Sequence, residues 1–144
     1  MKLRKTIEAI LILHTLLHIV HAGAHLYHGV PVVFQTERLG VVVGYLFLLI
    51  FFILLPLWGW WQLRNKQGTL GYYLLILAML PTWIYAFMYH FVLDTSDYVC
   101  LFGATVSGRW FKWTAYSISL VDAGLLVFCI YALIKARKRS VTNA

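Results

Sequence analysis

Four apolar blocks govern what this chain can fold into. They run from about residue 7 to 28, 39 to 61, 70 to 93 and 113 to 134, and each is long enough, as a helix, to cross a hydrocarbon layer of roughly 30 Å. Turn-forming or polar stretches separate them: Gly29 and Pro31, then Gln62 to Gly68, then Asp94 to Gly108. With 62% hydrophobic and only 12% charged residues in 144, the chain has more apolar surface than one soluble core can bury. The pattern predicts an all-α integral membrane protein. It is expected to be a single-domain four-helix transmembrane bundle over residues 1–144, antiparallel and left-handed.

The net charge of +7 reads as orientation once its distribution is considered. Lys2, Arg4 and Lys5 precede the first block, Arg64 and Lys66 lie between the second and third, and Lys135, Arg137, Lys138 and Arg139 follow the fourth. Nine of the twelve basic residues therefore share one side, against Arg38, Arg109 and Lys112 on the other. Cytoplasmic loops carry such an excess, which predicts an N-in, C-in protein of an inner or plasma membrane. Membrane lipid is then the expected partner, with other membrane subunits or a homo-oligomer beside it, and nucleic acid is not expected. The histidine-rich first block reads as a retained helix rather than a cleaved leader. Cys100 and Cys129 fall on opposite sides of the layer, which excludes a disulfide between them.

The first block carries five of the six histidines, in "HTLLHIVHAGAHLYHG". At 100° per residue, His14, His18, His21, His25 and His28 fall within an arc of roughly 80° and form a ladder up one helix face. Ala22, Ala24 and Gly29 flank it, while Ile12, Leu16, Ile19, Leu26 and Tyr27 cover the opposite face. A polar side chain in a bilayer needs a partner or costs a few kcal/mol. The remaining spans offer Asp122 as their deep acid, with Ser117, Ser119, Tyr116 and Tyr85 as milder partners. That supply falls short of five imidazoles, so a haem iron, a transition-metal ion or water is expected to complete the set.

Rise per residue sorts the candidates by depth. His14, His18, His21 and Asp122 fall at a middle level, and His25, His28 and His90 at an outer one. A haem b held by His21, His25 or His28 against His90 would suit electron transfer, with Trp83, Phe87, Tyr89 and Phe91 as its walls. The H-x-x-x-H and H-x-x-H spacings equally suit zinc, copper or iron, with His14, His18, His21, His25, His28, His90 and Asp122 as ligands and a metal carrier as the role. A structural or assembly subunit is the third expectation. Gly40 and Gly44 suit close helix packing, Pro56 and Pro81 are expected to disturb their helices, and "WGWW" at Trp58 to Trp61 suits an interfacial belt. No Ser-His-Asp array, phosphate loop or CxxC pair is present, and nothing in the sequence assigns a reaction.

Overall fold

The computed structural model describes residues 2–29, 38–65, 69–94, 96 and 98–142. Pro31, Lys66, Gly68 and Asp97, and the side chains of Lys2, Arg38 and Arg139, lie outside the described residues. The architecture is all-helical: α1 (Lys2–His28), α2 (Arg38–Phe47), a π-helical stretch (Leu48–Leu54), α3 (Leu55–Asn65), α4 (Leu70–Phe87), a second π-helical stretch (Met88–Val92), a short 3-10 turn (Val99–Leu101) and α5 (Val106–Thr142). Among the described residues these make four helices long and apolar enough to cross a membrane: Leu3–His28, Gly40–Asn65, Leu70–Val92 and Val106–Lys138.

Local chemistry explains several boundaries. Gly29, at φ +65°, ends α1 in the left-handed conformation that glycine adopts without a Cβ penalty. Pro56 has no amide proton, and its ring crowds the carbonyl four residues back; the π-helical turns end just before it. Pro81 sits inside α4 without ending it. The fourth long helix begins earlier than its apolar block suggests. Thr105 caps it, its Oγ1 accepting from the Gly108 amide at 3.2 Å. At its other end the Lys- and Arg-rich run stays helical, since these residues lose little rotamer freedom in a helix.

The first long helix packs on the fourth, the fourth on the third, and the third on the second. One sequence pattern underlies the first of these contacts. On α5, Phe111, Ala115, Ile118, Asp122, Leu125, Cys129 and Ala132 are all buried, at alternating steps of four and three. On α1 the same alternation runs through Ile7, Leu11, His14, His18, His21, His25 and His28. The histidines are thus the upper part of a packing seam of the kind that sustains left-handed helix pairing.

The bundle has two storeys. Near the chain termini Ile7, Leu11, Leu63, Leu75, Ala78, Met79, Leu125, Cys129 and Ala132 form an apolar core. Here Gly59 and Gly71 bring the second and third helices together: a Cβ on Gly71 would lie 2.8 Å from the Gly59 carbonyl oxygen and 2.6 Å from Leu63 Cγ. Arg4 donates to the Leu63 carbonyl at 3.2 Å and pairs with Glu8 at 3.7 Å, and Arg137 donates to the Tyr73 hydroxyl. The other storey holds the buried imidazoles and the aromatic rings packed against them. Cys100 is exposed, and Cys129 is buried in the opposite storey.

Candidate metal centre

The structure divides the ladder into two groups. His21, His25 and His90 form one, and His14, His18 and Asp122 the other; within each, the ligand-capable atoms lie within 4.8 Å of one another. His21, expected at the middle level, therefore joins the outer group. Depth alone misassigned it, because the partners it meets are His90 on the third helix and Thr114 on the fourth. Among the described residues His28 joins neither group: its ring packs against Tyr27, Phe102 and Phe111, and its buried Nε2 meets no hydrogen-bond partner there.

In the outer group three Nε2 atoms converge. His21 Nε2 lies 3.1 Å from His90 Nε2 and 3.1 Å from His25 Nε2, and all three residues are buried. Two donors bound to one tetrahedral ion at about 2.0–2.1 Å stand about 3.3 Å apart, so the observed spacing is within a few tenths of an ångström of a ligand edge. Thr114 fixes the state of His21. Its hydroxyl donates to the Phe111 carbonyl at 2.9 Å and the Trp110 carbonyl at 3.1 Å. With that proton committed, Thr114 Oγ1 accepts from His21 Nδ1–H at 2.8 Å. His21 Nε2 then presents a lone pair to the other two rings, the state a metal ligand needs.

For a metal ion held by His21, Thr114 would be a positioning residue. Thr114→Val keeps the shape and removes the acceptor, and is expected to weaken metal binding by roughly 10–100-fold, the usual effect of losing a partner behind a ligand. A competition titration against a chromophoric chelator measures it, and unchanged affinity in the valine variant would refute the assignment.

Phe111 closes the group on one side. Its ring centroid lies 4.9 Å from His21, 5.3 Å from His25, 5.8 Å from His28 and 6.0 Å from His90, and Phe102 stacks on its far face at 3.8 Å. Phe111 and Thr114 are not among the residues the sequence points to; its candidate walls are Trp83, Phe87, Tyr89 and Phe91. Of these, Phe91 reaches His90, at 6.1 Å, while Trp83 and Phe87 stack on each other. The signal that finds Phe111 is the four-three alternation through α5, which has Asp122 as a member.

In the inner group His14 Nδ1–H donates to Asp122 Oδ1 at 2.6 Å, and His18 Nε2 faces Asp122 Oδ2 at 3.4 Å. Asp122 is fully buried, and His14 nearly so. The ring centroids of His14 and His18 are 4.4 Å apart, and that of Phe52 is 4.8 Å from that of His18.

Both groups face one cavity of about 440 Å³ between the first and second long helices, whose walls include His14, His18, His21, His25 and His90 on one side and Tyr45, Leu48, Leu49, Phe52 and Ile53 on the other. This geometry bears on haem. A bis-histidine haem needs an imidazole on each side of a flat slot, but the wall across the cavity from the ladder has no imidazole, and the one histidine from another helix, His90, is packed beside His21 and His25. No pair of imidazoles here faces across a slot as a bis-histidine haem requires, whereas the ligand-capable atoms within each group are close enough that they could hold a bare ion. No family model matches the chain, and neither a curated protein nor a solved structure matches it.

Proposed function

We propose that this chain is an integral membrane protein, with both termini on the cytoplasmic side, that binds a transition-metal ion through His21, His25 and His90. The observation that carries the reading is the convergence of three buried Nε2 atoms from two helices, with that of His21 3.1 Å from each of the other two. Three neutral imidazoles suit zinc and copper, and also iron, with a coordination position left toward the cavity for water or a passing ligand. The membrane part of the reading is supported by the four helices of membrane length and by the exposed Ile12, Leu16, Ile19 and Leu26 on the face turned away from the ladder, suited to acyl chains. The orientation is supported by the basic residues gathered at the end where Arg4 meets Leu63 and Arg137 meets Tyr73.

Metal analysis and an optical spectrum of the detergent-purified protein, loaded with zinc or copper and desalted, test this. The expected result is stoichiometric metal with no Soret band. A Soret band with stoichiometric iron would return the site to haem, and a protein that retains no metal would leave the histidines as a packing seam of a structural subunit.

A further inference from the structure

We propose that His14, His18 and Asp122 form a second cation site, chemically unlike the tri-histidine group and facing the same cavity. The proposal extends the metal-binding reading of that cavity to a second ion. Its starting point is charge. Asp122 is wholly buried in an apolar helix seam, and its neighbours Ile118 and Leu125 on that seam carry no charge. The basic residues of its own helix nearest in sequence, Lys112 and Lys135, stand ten and thirteen residues away, about 15 and 20 Å along the axis. Its bonded partners are imidazoles, so the positive charge that balances a carboxylate here comes from a protonated ring or from a bound cation.

The distances favour the cation. His14 Nδ1 to Asp122 Oδ1, at 2.6 Å, is a short charge-assisted bond. His18 Nε2 to Asp122 Oδ2, at 3.4 Å, is too long for one, since such bonds run about 2.7–2.9 Å. It is close to the roughly 3.3 Å edge between two ligands of one tetrahedral ion. His14 thereby holds the carboxylate in place, while the second oxygen and the His18 nitrogen are spaced to share an ion. His18 also lines the cavity, which gives that ion room and a route in.

The two sites differ in preference. Seven residues separate His14 from His21, and His18 from His25, so the groups stand about 10.5 Å apart along the helix. The outer group offers imidazole nitrogens alone and so, having no anionic donor, can take monovalent copper as well as a divalent ion. The inner group adds a carboxylate oxygen and favours a divalent ion.

Cobalt(II) titration of the detergent-purified protein, followed by metal analysis and visible absorption, tests this. The wild type is expected to bind two cobalt ions per chain with two distinguishable ligand-field spectra, and one ion when loaded with monovalent copper. Asp122→Asn is isosteric and keeps an oxygen to accept from His14, so it preserves the seam; it is expected to lose one cobalt ion and keep the tri-histidine spectrum. His18→Ala, on the cavity wall, is expected to do the same, and His90→Ala to lose the other ion. If the wild type binds one cobalt ion that His90→Ala removes and Asp122→Asn does not, the second site is wrong and the tri-histidine reading stands. If it binds one ion that Asp122→Asn removes and His90→Ala does not, the tri-histidine reading falls and the inner site stands. A wild type that binds none overturns both, and two ions retained in both Asp122→Asn and His18→Ala overturns the inner site.

Discussion

His90→Ala is expected to lower affinity at the tri-histidine group by more than about 100-fold, because removing a ligand costs more than the roughly 10–100-fold lost when only its supporting partner is removed. His90 is the sole member of the group from a helix other than α1. Without it, His21 and His25 remain as a pair one turn apart on a single helix, with no third donor across the seam. The bundle is expected to survive, since the apolar core lies in the other storey around Leu75, Met79 and Leu125. The measurement is a competition titration with zinc, run beside thermal unfolding in the same detergent. An affinity within about threefold of wild type, with the fold intact, would remove His90 from the site and take the tri-histidine reading with it.

Gly71→Val is expected to do the opposite: damage the fold and leave the ligands chemically unaltered. A Cβ at residue 71 meets the Gly59 carbonyl oxygen at 2.8 Å and Leu63 Cγ at 2.6 Å. Leu63 can rotate aside, but the carbonyl belongs to the backbone of the second helix. Relief therefore requires the second and third helices to separate. Overpacking of this kind costs about 1–3 kcal/mol, and valine adds two methyl groups beyond the Cβ. A lowered midpoint of thermal unfolding in detergent, with a larger fall than for Gly124→Val, where a Cβ meets nothing within 4 Å, is the expected result. Equal midpoints for the two variants would show that the glycine contact carries no weight.

The number of long helices and the common face of the histidines were legible because both follow from simple counting: apolar run length and steps of three and four. Which histidines act together was not. His14 to His28 look alike from α1, and what divides them is what each meets across the seam: Asp122 for His14 and His18, Thr114 and His90 for His21. The fourth helix was read short at its start because Thr105 and Gly108 form a cap inside a stretch that also reads as loop. The Gly40 and Gly44 spacing points to close packing in the second span, and nothing in its spacing points to the approach of Gly59 and Gly71. Spacing within one helix says which residues share a face; it does not say which face of which neighbour arrives opposite.

The π-helical stretch at Met88–Val92 bears on how His90 comes to point inward at all. Thr82, Ala86 and His90 are all buried although they are spaced four and four, and in an uninterrupted α-helix His90 would lie about 80° round from Thr82. The wider turns take up that excess. Aim is therefore written in chain length as well as in residue identity. Inserting one residue between Thr82 and His90 would leave every candidate ligand present and turn His90 to the far side of the helix, whereas deleting one would restore the seven-residue spacing of a plain α-helix and keep it on the same face.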